Sequence, residues 1–378
     1  MDNTLTIIQV DSKSKLNEFI NCQWNFYKDD KNWVAPLKMD RKKLLNQKKN
    51  PFFLHSKIKL FLAKRNNITV GRIAAIINDN HNITHKDKVG FFGFYECENN
   101  LTTSNALFNS AENFLKQNGM ESSRGPVNPS MNDENAILID GFDTPPVVLM
   151  SYNPKYYPKL IEDSGYKKAK DTHAFLLDDK TYSTEKLNRF RSLLENRYNL
   201  TVRSMNFKNK SQFKKDVITL KNLYNEAWEP NWGFVKMTDE EFDFLVADFK
   251  QIADPDLAVI VESNGEPAGF ALALPDINQS LIHNKSGNIL TGIYHLLSKK
   301  KKINLVRVIV LGLIPKYQRK GIDAVLYHQI AKLCLQKGIK RVEASWILED
   351  NDMMIKGLTT ILNSNQYKSY RLYEREIK

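Results

Sequence analysis

Leu311-Gly-Leu-Ile-Pro-Lys-Tyr-Gln-Arg-Lys-Gly-Ile-Asp-Ala-Val-Leu-Tyr327 is the stretch on which the reading of this chain turns. An apolar run, Val306 to Leu313, leads into it and predicts a buried strand. Tyr317 to Lys320 is a short basic loop, and Gly321 opens an amphipathic segment reaching about Gly338. Strand, basic glycine-bearing loop and helix present backbone N–H groups and a helix N-terminus to a phosphate. Arg319 and Lys320 add positive charge there, and a guanidinium can hold a phosphate through two hydrogen bonds. A glycine that merely starts a helix after a basic turn gives the same letters, so the loop alone leaves both readings open.

The C-terminal segments narrow the choice. Ile339 to Leu348 predicts another strand, Glu349-Asp-Asn351 opens a short helix with Met353, Met354, Ile355 and Leu358, and Tyr367 to Tyr373 predicts a last strand. With Gln318-x-x-Gly321 in front, this order resembles the GCN5-related N-acetyltransferases, whose Gln/Arg-x-x-Gly-x-Gly/Ala loop wraps the pyrophosphate of acetyl-coenzyme A. The Ser-Trp-Ile-Leu-Glu-Asp-Asn run resembles bacterial tandem acyl-CoA N-acyltransferase-like proteins. The last motif position departs from the pattern, with Asp323 in place and Ala324 one residue late. An acid there opposes a pyrophosphate unless it caps its own helix.

The resemblance implies a mixed α/β (α+β-like) fold with two tandem acetyltransferase-type domains, each a central mixed sheet flanked by helices. The expected boundaries are 1–180, a linker helix at 181–199, and 200–378. It implies coenzyme A held by the second domain, at Leu311, Leu313, Gln318, Arg319, Lys320, Gly321, Ile322, Asp323 and Asn351, with acetyl-CoA or a longer acyl-CoA as co-substrate. The connection between the first two helices of such a domain lies over the acceptor cleft, which nominates Trp228, Asn231 and Trp232. A rigid packed turn explains that aromatic segment equally well.

Length and composition agree with two packed domains: 378 residues, 42% hydrophobic and 11% aromatic. No run reaches the roughly 18 apolar residues that span a bilayer, and Met1-Asp-Asn-Thr-Leu5 has no signal-peptide pattern. A cytoplasmic protein is expected, as a monomer with an internal pseudo-dimer. Cys22, Cys97 and Cys334 are far apart in apolar sequence and read as reduced, buried thiols. No metal site is expected, and His81-Asn-Ile-Thr-His85 is read as a polar loop. The net charge of +12 permits an anionic partner without choosing one. No nucleic-acid-binding motif accompanies it.

The first half repeats the second in order: helix, hairpin, strand, helix, strand, helix, strand. Its hairpin turns at Asn66-Asn67 and that of the second half at Asn264-Gly265. After the Val89–Glu96 strand comes Glu96-x-Glu98-Asn99-Asn100 instead of a phosphate loop. The first domain is therefore expected to lack cofactor binding and to shape the other domain's cleft. Glu96 and Glu98 are expected as a solvated strand edge rather than a base. An insertion, 275–302, carries the apolar Asn288–Leu297 segment and Lys299–Lys302. A lid helix or peripheral membrane contact through Ile289–Lys302 would each explain it.

N-acyl transfer needs a neutral amine, a proton acceptor and donors for the oxyanion. Relatives in the resembled family place a glutamate on the central strand and a tyrosine after the Asn-opened helix. The strand 306–313 has no acid, so Glu343, Glu349 and Asp350 stand as candidate bases, and Tyr367 or Tyr370 as the acid. Glu349 and Asp350 are equally explained as caps of the helix near Asn351. The expected function is acyl-CoA-dependent N-acylation of a small or lipid-like amine. A catalytically silent binding or regulatory protein of the same fold is the alternative, and basic nucleic-acid binding a third.

Overall fold

The computed structural model describes residues 4–178 and 184–377. In chain order its main elements are β1 (Leu5–Gln9), α1 (Lys13–Asn21), α2 (Gln23–Tyr27), α3 (Lys38–Leu44), β2 (Ser56–Arg65), β3 (Ile68–Asn78), α4 (Asp79–His85), β4 (Val89–Cys97), α5 (Leu101–Gln117), β5 (Ser122–Gly125), β6 (Val127–Asn128), β7 (Glu134–Asn135), β8 (Ile137–Asp140), α6 (Tyr157–Asp163) and β9 (Lys167–Asp178). The chain continues through α7 (Thr184–Tyr198), β10 (Leu200–Ser204), α8 (Lys210–Trp228), α9 (Asp239–Ile252), β11 (Ala258–Ser263), β12 (Glu266–Pro275), α10 (Asn278–Leu281), α11 (Ile289–Lys299), β13 (Leu305–Leu313), α12 (Asp323–Gln336), β14 (Arg341–Leu348), α13 (Asp352–Lys356) and β15 (Asn365–Glu376).

These elements form two compact units. Unit 1 comprises residues 1–172, Ser280–Lys299 and Lys368–Lys378; unit 2 comprises His173–Gln279 and Lys300–Tyr367. The sequence boundaries at 180 and 200 differ from this division at four elements. Each unit completes its sheet with a strand from the other half of the sequence: unit 1 takes the end of β15, and unit 2 the end of β9. The insertion helix α11 counts with unit 1, and α7, expected as a linker, belongs to unit 2.

In unit 1 the strands run β1-β2-β3-β4-β5-β15, with β8 also on β15. β1 to β4 pair antiparallel and β4–β5 parallel. Asn66 and Asn67 have φ of 50° and 62°, the left-handed pair that suits a tight hairpin. The core forms where Phe92, Phe108, Ala111, Leu115, Tyr157, Ile161 and Tyr373 meet. α4 corrects the loop expected at His81–His85. His81 is buried and its ring packs on His85 and Phe91, and burial lowers its pKa to about 3.

Unit 2 repeats the plan as β9-β14-β13-β12-β11-β10. Asn264 and Gly265, at φ 53° and 81°, turn its hairpin. α9 begins at the Thr238/Glu241 capping box read from sequence. Ile322, at the N-cap, with Val325, Leu326 and Ile330 of α12 joins Val306, Val308 and Leu313 of β13 in the core; each such fully buried chain contributes about 1.5–3 kcal/mol. The three cysteines are buried and free, and burial pushes the Cys97 and Cys334 thiols up to about 12.

Candidate active site

The centre of unit 2 is a split in its sheet. β13 and β14 pair in parallel from Leu305↔Arg341 to Val308↔Ala344 and no further, although the strands continue to Leu313 and Leu348. On its other edge β13 stays paired with β12 up to Leu313↔Gly269, with a register shift between Leu272 and Ala273. A bulge bends and twists its strand, which here turns the free end of β13 away from β14. The split exposes strand backbone to a guest molecule.

The basic loop sits at the end of this strand. Pro315–Tyr317 makes a 3-10 turn, and the Gln318 side-chain amide donates to Leu313 O at 2.9 Å. Gln318 thus fastens the loop to the strand. Arg319 and Gly321 are left-handed, at φ 59° and 78°, and Gln318, Arg319 and Lys320 are exposed. Ile322 is fully buried, so only its backbone is available to a ligand.

Asp323 is the first residue of α12. Its half-buried carboxyl accepts from the backbone N–H groups of Asp323 and Ala324, and burial outweighs those bonds to raise its pKa above 3.8. The acid stands beside the amides that a helix N-terminus offers an anion. A folded-state pKa raised this way means the charged form is the penalised one. Stability linked to this group is therefore present at low pH and lost as pH rises through the raised value. Asp323→Asn should raise the melting temperature at neutral pH, and the wild-type protein should gain on the variant as pH falls through the raised Asp323 value. Thermal unfolding across pH reads both.

Trp228 ends α8 and lies on the open end of β13. A Cβ on Gly312 would come within 2.1 Å of the Trp228 ring, so glycine is what lets the indole rest on the strand. Tyr224 stacks on it at 5.1 Å and Phe270 tilts against it at 5.9 Å. Asn231 donates its N–H to Trp228 O at 2.8 Å and so shapes the turn through its backbone. Trp232 is half-buried in the same turn.

The acid–base candidates resolve unevenly. Glu343 and Tyr367 come together, the Tyr367 hydroxyl donating to the Glu343 carboxylate. Ser345 Oγ donates to the other oxygen at 2.6 Å, and Arg307 Nε lies 4.0 Å from it and donates to Ser345 Oγ at 2.9 Å. The guanidinium also covers the Trp346 ring at 4.9 Å. Glu343 is fully buried and Arg307 nearly so. Arg307 sits directly across the ladder from Glu343; alternation puts it on the face of β13 opposite Val306 and Val308. Sequence reasoning misses Arg307 and Ser345, though an arginine inside Val306-Arg-Val-Ile-Val310 already calls for a counter-ion.

Glu349 and Asp350 lie in the turn between β14 and α13, with Asp350 exposed. They are not the caps the sequence allowed. Asn351 is: its side chain accepts from Met354 N–H at 3.2 Å. Among the described residues no cluster of metal-ligating side chains occurs.

Beside the split lies an apolar cleft, formed by Tyr327, Ile330, Ala331 and Leu335 of α12, Val342 and Ala344 of β14, and Leu358 and Leu362 beyond α13. Tyr327, in its wall, donates to the Met354 sulfur.

The profile of the acetyltransferase (GNAT) family matches residues 217–356, which hold this split, loop and helix. The chain belongs to the GNAT superfamily. It is 33% identical over 380 residues to a bacterial ceramide synthase of Caulobacter vibrioides (strain NA1000 / CB15N), covering 99% of this chain and 98% of the relative. Protein YghO of Escherichia coli (strain K12) is 32% identical over 375 residues, 97% of this chain and 94% of its own. A solved tandem GNAT protein from the clavulanic acid biosynthesis pathway superposes with a TM-score of 0.58 at 9% identity over 99% of both chains, a likeness of fold. This GNAT protein is a tandem-domain acyltransferase of the class that moves groups other than aminoacyl groups.

The first unit differs at the matching place. Where unit 2 has the basic loop, α5 starts at Asn100, whose side chain accepts from Thr103 N–H at 3.1 Å. Glu98 stands beside it, bonded to Thr103 at 2.6 Å and Arg65 at 2.8 Å. A carboxylate at that helix start disfavours a phosphate. Glu96, expected on a solvated edge, is buried instead.

Proposed function

We propose that the protein transfers an acyl group from coenzyme A to a lipid-like amine, with coenzyme A held in unit 2. The observation that carries this reading is the split between β13 and β14 with a basic loop and helix N-terminus at its mouth. The printed name of the Caulobacter relative favours a lipid product. Leu311 and Leu313 offer strand backbone to the donor, Arg319, Lys320 and the Gly321–Ile322 backbone take the pyrophosphate, and Trp228 with Asn231 and Trp232 borders the acceptor. The amine nitrogen bonds to the thioester carbon as the C–S bond breaks. Glu343 takes the amine's proton, Tyr367 gives one to the departing thiolate, and the proton passes from Glu343 to Tyr367 along their hydrogen bond.

The apolar cleft beside the split suits the alkyl part of a long-chain donor. The test is calorimetric titration of the whole chain with acetyl-CoA and palmitoyl-CoA. Both should bind, the long-chain donor more tightly. Ala331→Trp, which fills the cleft, should weaken palmitoyl-CoA about tenfold, at about 0.8 kcal/mol per methylene kept in water, and leave acetyl-CoA within a factor of about two. No binding of either donor would favour the silent regulatory protein.

We also propose that α11 rests on an anionic membrane surface. Leu290, Ile293, Tyr294 and Leu297 are all exposed, and their spacing puts them on one helix face. Lys299–Lys302 lies at the helix end. The helix is held in unit 1 from behind, where Lys285 O accepts from Trp24 Nε1 at 2.7 Å and Gly287 O from Lys38 N–H at 3.0 Å. No described helix is long and apolar enough to cross a membrane. Each lysine near an anionic surface adds about 1 kcal/mol. The protein should sediment with phosphatidylglycerol vesicles and not with phosphatidylcholine vesicles, and Leu290→Asp with Leu297→Asp should weaken that binding about tenfold.

A further inference from the structure

The two carboxylate oxygens of Glu343 have different neighbours. Oε2 accepts from the Tyr367 hydroxyl. Oε1 accepts from Ser345 Oγ at 2.6 Å, and Arg307 Nε stands 4.0 Å from it. The guanidinium grips Ser345 twice, donating Nε to Oγ at 2.9 Å and Nη2 to the backbone O at 3.4 Å. Arg307 and Ser345 are each 3% exposed, Glu343 is fully buried, and the Trp346 ring covers the guanidinium at 4.9 Å. All five residues belong to unit 2.

Counting donors and acceptors fixes the direction of this chain of bonds. A guanidinium donates and never accepts. Ser345 Oγ therefore accepts from Arg307, and its one hydroxyl proton goes to Glu343 Oε1. A hydroxyl polarised by a charged donor is itself a stronger donor. Negative charge on the carboxylate is thus favoured at Oε1, while Oε2 faces the tyrosine. As packing alone the set is costly, because a buried ion pair commonly stabilises a fold no more than an apolar replacement would. As support for a base it supplies what the chemistry needs: a carboxylate held ionised and held in one orientation.

We propose that Arg307 and Ser345 are positioning residues of the acyl transfer, keeping Glu343 ionised and turned so that Oε2 is the oxygen that takes the amine's proton. Ser345 keeps its own proton on Oγ and Arg307 keeps its charge throughout. The proton enters at Oε2 and leaves through Tyr367. This assignment rests on the reading of Glu343 as the base and goes beyond it in giving a role to the two residues behind it.

The test is a double-mutant cycle on kcat, joined to infrared spectroscopy of the carboxylate, which needs no turnover. Ser345→Ala removes the bridge and should lower kcat about tenfold, the worth of one hydrogen bond to a charged group, with KM for palmitoyl-CoA within a factor of about two. In a Glu343→Gln background the same substitution should cost less than about twofold, because a residue that acts through Glu343 then has nothing to act on. Arg307→Lys keeps the charge without the planar fork and should lose kcat by about the same factor as Ser345→Ala. The infrared difference between the wild-type protein and Glu343→Gln should show an ionised carboxylate at neutral pH, and Arg307→Met should convert part of it to the carboxylic acid. Should Arg307→Met fail to fold, the Ser345 cycle decides. Unchanged kcat in Ser345→Ala, an equal loss with and without Glu343, or a protonated Glu343 in the wild-type protein would overturn the assignment. A loss of kcat in Glu343→Gln beside full kcat in Ser345→Ala and Arg307→Lys would overturn the positioning roles alone. Full turnover in Glu343→Gln would overturn the base itself and these roles with it.

Discussion

Gly321→Glu should abolish coenzyme A binding, with a loss of about 100-fold or more in affinity for any acyl-CoA. Two effects add. Gly321 sits at φ 78°, where a side chain costs about 1–2 kcal/mol of backbone strain. The new carboxylate would stand in the phosphate loop, between Lys320 and the first turn of α12, and one like charge at a few ångströms outweighs what a single exposed lysine contributes. Thermal unfolding separates binding from folding. The strain should lower the melting temperature by only a few degrees, since about 1 kcal/mol has that effect in a domain of this size. Gly321→Ala keeps the strain without the charge and should lose much less. Unchanged affinity in the Glu variant would remove the loop from the cofactor site.

Much of the fold is legible in the sequence because it is local. The hairpin turns are written in Asn66-Asn67 and Asn264-Gly265, the start of α9 in Thr238 and Glu241, and α12 in its apolar spacing. The long-range placements are not legible. The end of β15 docks in unit 1 and the end of β9 in unit 2. A terminal strand with alternating apolar residues satisfies either sheet edge equally, so its sequence does not name the edge. The insertion 280–299 likewise comes after a strand of unit 2 in the chain and packs with unit 1, because Trp24 and Leu37 offer it partners that no sequence window contains.

The site obeys the same division. Gly321 and the basic residues beside it form one short segment and can be read together. Glu96 looks solvated as a letter among Glu98, Asn99 and Asn100. Only the fold brings Gln23, Tyr27, Arg72 and Tyr157 around it, and their combined donors are what hold a carboxylate in the interior. Asp323 shows the reverse case. Its position beside the loop is evident, but whether it faces a phosphate or its own helix depends on where the helix starts, and that is set by the burial of Ile322.

Glu343→Gln should lower kcat by about 10²–10³-fold, the ordinary range for a lost general base, while coenzyme A affinity stays within a factor of about two. The amide keeps the volume, and its single oxygen can still accept from either Ser345 or Tyr367, but it cannot take a proton. Tyr367→Phe should cost less, about 10–100-fold, because water can supply the thiolate's proton more slowly. The double variant should be little worse than Glu343→Gln alone, since two groups on one proton path do not add. The competing account makes Glu343 only the buried counter-ion of Arg307. On that account its neutralisation leaves a buried guanidinium without a charged partner, at about 3–5 kcal/mol, and the melting temperature falls sharply while folded protein keeps its turnover. The two accounts therefore separate on one pair of numbers. A large loss of kcat in a protein that still melts cooperatively near the wild-type temperature assigns Glu343 to the chemistry. A large loss of stability with kcat per folded molecule unchanged assigns it to Arg307 and returns the search for the base to the turn at Glu349 and Asp350.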